Sequence, residues 1–539
     1  MAIPRRAGPP SAMDHATLVE ALRDPRCYPH PVDRLHVVET HISWIVLTGP
    51  YAYKIKKPVN LGFLDFGTLE ARRFYCEEEL RLNRRLAADL YLEVVAISGS
   101  PERPRIGAGD RVLEYAVKMR QFREDGLLDR VQARGELLPA HIDALAQQIA
   151  SFHQACERTL AGAALGSPES ILQPARQNFE QVSALLADAA DRARLERLRD
   201  WSESKGRALS DAFGTRQRDG SVRECHGDLH LGNVFLENET ILIFDCIEFN
   251  ANLRWIDVMN EIAFMVMDLW HRDHPDLARR FLNAYLEHTG DYAGLATLPF
   301  YMVYRAMVRA KVALIRSVQP DVSKEETLLD QSEYRRFIGL AERFSAPQPV
   351  WIALTHGVSG SGKSFVAQQL LEHCDAIRIR SDVERKRSHG LGREVASGSP
   401  VGAGLYAGPV TRLTYERLSM LTSIILDAGW PVIADATFAE RWQRELLWGQ
   451  ALRRGVPWLI LDFRVPEAML RKRVAERAER GGDASEATLA VLKHQMRADQ
   501  PLGDDEYAGA LEIDARGGPG PDRVLQFLDD LGRRHPVQR

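Results

Sequence analysis

The sequence predicts two successive mixed domains: a two-lobed α+β domain, then an α/β domain with a five-stranded, mostly parallel sheet. Three observations carry this. Arg223–Asn250 (RECHGDLHLGNVFLENETILIFDCIEFN) reads as a loop feeding a short hairpin, with Asp228, Asn233 and Asp245 gathered around it. Ala346-Pro347-Gln348-Pro349 is the clearest linker in the chain. Directly after it come a strand, a glycine-rich loop ending in Gly-Lys-Ser and a helix, and four further candidate strands then alternate with helices. The resulting division is a leader and first helix at 1–32, a small lobe at 33–122, a helical lobe carrying the hairpin at 123–345, the linker at 346–349 and a last domain at 350–539.

At 539 residues the chain is too long for one ordinary domain. Its 70 basic and 74 acidic residues nearly cancel, which argues against a bulk polyanion binder and makes nucleic acid a poor expectation as partner. Six cysteines are scattered without a CxxC pair, so neither a disulfide framework nor a structural zinc site is implied, and a cytoplasmic location is expected. No apolar run approaches a membrane span, and MAIPRRAGPP has no apolar core of the secretory kind.

The hairpin stretch holds the densest chemistry. Val234–Leu236 and Ile241–Phe244 are apolar runs around the polar turn Glu237–Thr240. Folding one against the other sets Asn233 opposite Phe244 and Asp245, so an amide oxygen and a carboxylate sit side by side. Such oxygen ligands suit Mg²⁺. Asp228, in the loop entering the hairpin, is placed to accept a proton from a substrate hydroxyl. An Asp base, an Asn five residues on and a second Asp is the order of a kinase catalytic loop. HGDLHLGN followed by IFDCIEF resembles the aminoglycoside phosphotransferase and choline kinase family, which has the protein-kinase-like fold.

That resemblance gives other residues expected roles. Leu35–Val38, Trp44–Thr48 and Tyr51–Lys56 read as strands, and in the last of these Lys54 and Lys56 share a face. Lys54 best matches the family's ATP-site lysine, with Lys56 second. Leu69–Leu86 reads as a helix; Glu79 is the residue expected to pair with that lysine, against the bland reading that Glu77, Glu78 and Glu79 pair along the helix, Glu77 with Arg81 for example. Met119, at the end of a strand over Val112–Met119, is the expected hinge beside adenine. Farther on, Asn252–Trp270 reads as a helix whose Asp257 and Asp268 are structural, and His153 as a satisfied histidine. Pro299–Arg316 reads as a helix with an apolar face of Tyr301, Tyr304, Val308, Val312 and Ile315 beside a basic stripe of Arg305, Arg309 and Arg316; a stripe facing the site would favour a neutral or anionic acceptor over a polycationic drug.

In the last domain, Val350–Thr355 reads as a strand and Phe365–His373 as a helix, with Gly357-Val358-Ser359-Gly360-Ser361-Gly362-Lys363-Ser364 between them. In a loop of this spacing backbone N–H groups wrap phosphates, Lys363 reaches the β- and γ-phosphates, and Ser364 ligates Mg²⁺. Asp382 follows the second strand (Ala376–Arg380) and is the candidate base, with Arg385 and Arg387 near a substrate phosphate. Asp435 ends the third (Pro431–Ala434) and is a candidate metal carboxylate. Each could instead cap the following helix. The arginine-dense helix Glu467–Arg480 looks like the lid of small P-loop kinases, with Arg473 and Arg477 first and Arg480 in reserve. Over Val350–Pro501 the domain resembles polynucleotide-kinase and zeta-toxin-like P-loop kinases, and the overall order resembles uncharacterised bacterial fusions of the two domain types. The resemblances imply an ATP- and Mg²⁺-dependent phosphotransferase with two nucleotide sites and a small-molecule hydroxyl acceptor. The alternatives are a P-loop kinase regulated by a non-catalytic kinase-like domain, and a nucleic-acid or nucleotide-sugar kinase.

Overall fold

The computed structural model describes residues 15–62, 64–319, 322–395, 397–399, 403–480, 488–514 and 520–534, the side chains of 477–480 and 532–534 excepted. Two compact units emerge. One holds the chain up to Leu137 together with Cys156–Thr159 and Val222–Ile256; the other holds Leu138–Ala155, Leu160–Ser221 and the chain from Asp257 onward. Among the described residues no helix is long and apolar enough to cross a membrane.

In the first unit, six strands form one antiparallel sheet: β1 (His36–Glu39), β2 (Ser43–Leu47), β3 (Tyr51–Lys56), β4 (Tyr91–Ser100), β5 (Arg103–Ile106) and β6 (Val112–Arg120), in the order β1-β2-β3-β6-β4-β5. The two-residue period of β3 does the sorting. Tyr53 and Ile55 enter a core with Val46 and Ala116, while Ala52 joins Cys76 in a second cluster. Cys76 lies on the helix Leu69–Ala87, capped by Thr68, whose hydroxyl accepts from the Ala71 N–H. Lys54 and Lys56 therefore share the face that meets this helix. The predicted hairpin is present as β7 (Val234–Glu237) and β8 (Thr240–Ile243), joined by Asn238 and Glu239, both with positive φ (49° and 64°), the left-handed pair a two-residue turn requires.

The second unit begins with helices. Val258–His271, Leu298–Ser317 and Lys324–Ser345 share a core that includes Phe264, Met267, Ala306, Ala310 and Phe337. Two expectations fail here. Asn252–Trp270 is not one helix: Ala251–Arg254 is a single turn, Trp255–Asp257 is extended, and Asp257 caps Val258–His271 by accepting from the Met259 N–H. The capping carboxylate and its ion pair with Arg216 start the long helix later than the apolar pattern suggests. Second, Leu298–Ser317 buries Met302, Val303, Ala306, Met307, Ala310 and Ala313, while Val312 and Ile315 are exposed. Tyr301 of the expected face is buried, as are Phe300 and Leu314, so burial runs round several sides of the helix.

The chain then enters a doubly wound sheet: β9 (Ile352–His356), β10 (Ile377–Arg380), β11 (Val432–Asp435), β12 (Trp458–Arg464) and β13 (Ala510–Asp514), in the order β10-β11-β9-β12-β13. All four pairings are parallel, so the sheet is wholly rather than mostly parallel. Its core joins Ala353, Ile433, Leu459 and Leu461 to Val366, Leu370 and Leu371 of the helix Lys363–His373. Strand order reverses at β9, and the glycine-rich loop follows its carboxyl end, where such sheets bind ligands.

Candidate active sites

The first site lies within the first unit. The β7–β8 register runs from Val234↔Ile243 to Glu237↔Thr240 and extends one step further, the Phe244 N–H donating to the Asn233 carbonyl (3.1 Å). Asn233 is thus opposite Phe244, as the sequence pattern predicts. Its Nδ2 donates to both the carbonyl and Oδ2 of Asp228, each at 3.0 Å. Asp245 adopts φ +65°, a conformation costing a non-glycine residue about 1 kcal/mol, and its N–H donates to the Tyr91 hydroxyl (3.2 Å).

Both candidate lysines reach the helix. Lys54 Nζ stands 2.8 Å from Glu79 Oε1 and 2.5 Å from Asp245 Oδ1. Lys56 Nζ stands 2.7 Å from Glu79 Oε2 and also pairs with Glu248. Lys54 is therefore the lysine brought to Asp245, and Lys56 sits behind it, 4.9 Å from the centre of the Phe66 ring. Burial alone would lower the Lys54 pKa; the Asp245 and Glu79 carboxylates outweigh it and hold the ammonium well above the usual lysine range. Burial likewise opposes ionisation of Glu79, but Lys54 and Lys56 prevail and bring its pKa down to about 2. The alternative pairing along the helix is only partly realised: Glu77 meets Arg73, and Arg81 meets Glu78 and Glu224, so the Glu77–Arg81 pair is absent. Met119 pairs with Ala52 across β3 and β6 and packs in the cluster that includes Tyr91 and, at its edge, Phe244.

Two residues without an expected role support this site. His226 is fully buried; its Nε2 donates to the Phe244 carbonyl (2.8 Å) and its Nδ1 accepts from the Asp228 N–H (3.2 Å), so a neutral imidazole ties the loop to the hairpin. Glu248 is the second partner of Lys56. The only sequence signal for either is membership of the motifs HGD and IEF.

The second site is a cavity of about 360 Å³ at the carboxyl edge of the parallel sheet. Its wall includes Ser359, Gly360, Gly362, Lys363 and Ser364 from the loop and helix start, Arg380 at the end of β10 with Asp382 and Arg385 after it, Asp435 at the end of β11, and Arg473, His494 and Gln495. Gly360 and Gly362 take φ +84° and +99°, and a Cβ on Gly360 would lie 3.0 Å from Val474 and 3.1 Å from the Leu470 carbonyl. Gly357 donates to the Thr437 carbonyl (3.1 Å), Ser361 to that of Val358 (3.3 Å), and the Ser359 N–H meets Gln495 Oε1 (2.8 Å). Lys363 Nζ donates back to the Val358 carbonyl (2.8 Å), and an Arg473 Nη lies 3.4 Å from the Gly360 carbonyl. Arg473 thus reaches the loop; the side chains of Arg477 and Arg480 lie outside the described residues. Asp382 sits in a short helix, 3.7 Å from Arg385. Arg387 turns away, bonding to Glu384 and the Glu287 carbonyl. Asp435 is buried, with Arg380 Nε at 3.6 Å and no hydrogen bond to Oδ2. At the end of β9, His356 bonds Asp462 (2.7 Å) and faces Asp499 (3.4 Å); burial works against its protonation, but the two carboxylates raise its pKa.

Other sequence-stretch expectations sort cleanly. His153 is buried against Tyr285 and Glu261, a satisfied core histidine. Asp268 is a buried acceptor for Arg272. The basic stripe is structural: Arg305 bonds Asn260 Oδ1 (2.7 Å), Arg309 lies over the Phe337 ring, and Arg316 pairs with Asp330. It therefore says nothing about the charge of an acceptor.

Comparison with known proteins divides the chain into the same two parts. A model described as "Phosphotransferase enzyme family" matches residues 75–298, and one described as "AAA domain" matches 352–502. Uncharacterized proteins of Mycobacterium bovis and of Mycobacterium tuberculosis are 31% identical over 483 residues, 87% of this chain and 92% of theirs. This chain belongs to their family. In this family member a phosphotransferase-type, protein-kinase-like domain is fused to a P-loop kinase domain. Among solved structures it is similar to an amicoumacin kinase in complex with AMP-PNP, Ca²⁺ and Ami (13% identity, 60% of this chain, 93% of that one, TM-score 0.38). Others are a putative aminoglycoside phosphotransferase of Ralstonia eutropha (16%, 62% and 98%, TM-score 0.36) and a gluconokinase of Sinorhizobium meliloti (22%, 35% and 95%, TM-score 0.23).

Proposed function

We propose that the protein is a cytoplasmic, ATP-dependent phosphotransferase with two nucleotide sites, each transferring phosphate to a hydroxyl of a small molecule. The observation that carries the reading is the second cavity: a glycine loop, Lys363 and Ser364 face Asp382 and Asp435, and Asp435 Oδ2 is buried without a hydrogen bond. A buried carboxylate oxygen in that condition fits a bound cation. Ser364 and Asp435 would hold Mg²⁺ here, and Asn233 and Asp245 would hold it in the first site, both oxygen-donor sets of the kind this ion prefers. Bound Mg²⁺ supplies neutralisation of the phosphate charge.

The chain's own residues do the rest. In the first site Lys54, oriented by Glu79, binds the α/β-phosphates, Met119 lines the adenine, and Asp228 takes the acceptor's hydroxyl proton while that oxygen bonds the γ-phosphorus and ADP leaves. Asn233, bonded to Asp228, fixes the base relative to the metal side of the hairpin. In the second site the loop N–H groups and Lys363 receive the β/γ-phosphates, Asp382 is the base, and Arg473 covers the transferring group.

One observation favours a second reading. The β1–β2 turn, Thr40-His41-Ile42, contains no glycine, whereas protein kinases cover the phosphates with a glycine-rich loop. On that reading the first unit binds a nucleotide or metabolite and regulates the P-loop site. ATP turnover against a small-metabolite library, in Asp228→Ala and Lys363→Ala separately, decides. The two-site reading expects each variant to lose turnover with its own acceptor; loss in Lys363→Ala alone supports the regulatory reading. Efficient 5′-hydroxyl phosphorylation of an oligonucleotide would replace the small-molecule acceptor.

A further inference from the structure

β10 is the edge strand of the parallel sheet, and an open edge exposes unpaired backbone groups. Here a helix from the phosphotransferase-matched region, Pro275–Thr289, covers it within the second compact unit. Asn283 acts in place of a neighbouring strand: its Oδ1 accepts from the Arg378 N–H (2.7 Å) and its Nδ2 donates to the Ala376 carbonyl (3.1 Å). One helical turn later stands Glu287, buried to about 1% exposure. It binds Arg378 (2.6 Å), Arg393 (3.2 Å) and, at 3.7 Å, Arg380. Arg380 lines the P-loop cavity and lies 3.6 Å from Asp435. Gly290, just past the helix, takes φ +75° and lies so close to Arg387 that a Cβ there would stand 2.9 Å from its Nε.

A buried carboxylate amid three arginines, one of which faces the reaction cavity, does more than seal an edge. Asn283 already pairs with two backbone groups of that edge. Glu287 adds direction: it and Asp435 lie on either side of the Arg380 guanidinium, at 3.7 and 3.6 Å, which holds that cation at the end of β10 where the phosphoryl group transfers.

We propose that Glu287 is a positioning residue of the P-loop site, acting through Arg380, so that the kinase domain at 350–539 is completed by a helix of the preceding domain. The inference rests on reading the cavity as a phosphoryl-transfer site, and Lys363→Ala tests that reading separately. The experiment uses the full chain carrying Asp228→Ala, so that only P-loop turnover is followed. Glu287→Gln is expected to lower kcat at least tenfold with little change in KM for ATP, and Arg380→Gln to do the same. The double variant should be no slower than Arg380→Gln alone, because Glu287 acts through that residue. Asn283→Ala, which breaks only the edge bonds, should lower the thermal midpoint and leave kcat unchanged. If Lys363→Ala abolishes turnover while Glu287→Gln keeps wild-type kcat, or if the two substitutions multiply, the proposal is wrong and the P-loop reading survives. Activity persisting in Lys363→Ala overturns both. Should Glu287→Gln fail to fold, Arg380→Gln tests the claim from the other end, and an unchanged kcat there is equally fatal.

Discussion

The two candidate sites solve one electrostatic problem in opposite ways. In the first unit nearly every charge is already matched: Lys54 lies between Glu79 and Asp245, Lys56 between Glu79 and Glu248, and Asn233 holds Asp228. In the P-loop site the groups proposed to bind phosphate are mostly backbone N–H at a helix start, and the carboxylate proposed for the metal keeps an oxygen without a hydrogen bond. On the proposed reading the first would exchange ion pairs to admit a nucleotide; the second would exchange hydrogen bonds to uncharged partners, those of Lys363 Nζ with the Val358 carbonyl and of the Ser359 N–H with Gln495 Oε1. A hydrogen bond to an uncharged carbonyl or amide is released at less cost than a lysine is drawn from the Asp245 carboxylate. Slower, more ion-sensitive binding is therefore expected at the first site.

Substitutions can break this contrast, the largest effects first. Asp228→Ala should lower first-site turnover by roughly 100- to 10,000-fold, the usual range for loss of a general base, without altering second-site turnover. Lys363→Ala should lower second-site turnover by roughly 100- to 1,000-fold and leave the first alone; initial rates with each acceptor measure both. Glu79→Gln strikes the matched network. Lys54 retains Asp245 and Lys56 retains Glu248, so the cost should fall at the lower end for a broken buried pair, about 3 kcal/mol in urea unfolding.

Acid sharpens the comparison next. The Glu287 carboxyl is driven up by burial but pulled down more strongly by Arg378, Arg380 and Arg393, to about 2 from 4.5. A depressed folded-state pKa gives stability that is complete above the unfolded value and lost as pH falls from about 4.5 toward 2, on the order of 3 kcal/mol. Unfolding midpoints measured from pH 5 to pH 2 should fall more steeply for the wild type than for Glu287→Gln. The smallest effect is expected from Arg309→Ala on the structural stripe: within about 0.5 kcal/mol in stability, and unaltered turnover at either site.

The legible parts were those written in local pattern. Asp228, Asn233 and Asp245 fall within eighteen residues, and the hairpin that joins them follows from two short apolar runs. The glycine loop announces itself between a strand and a helix. What escaped was long-range. Glu248 matters because it meets Lys56, 192 residues away, and Glu287 because it meets Arg378, 91 residues away; no spacing rule connects them. His226 escaped for another reason, since its bonds to the Phe244 carbonyl and the Asp228 N–H are to backbone, which carries no side-chain signal in sequence. The Leu298–Ser317 helix misled because burial on several sides defeats a single-stripe reading, and its arginines were claimed by Asn260, Phe337 and Asp330 rather than by a substrate.

The central claim is that one chain holds two independent nucleotide sites. Equilibrium binding of a non-hydrolysable ATP analogue with Mg²⁺ tests it most directly. The account predicts two nucleotides per wild-type chain, one in Lys363→Ala, one in Lys54→Ala and none in the double variant. A single nucleotide per wild-type chain, abolished by Lys363→Ala and untouched by Lys54→Ala, would contradict it.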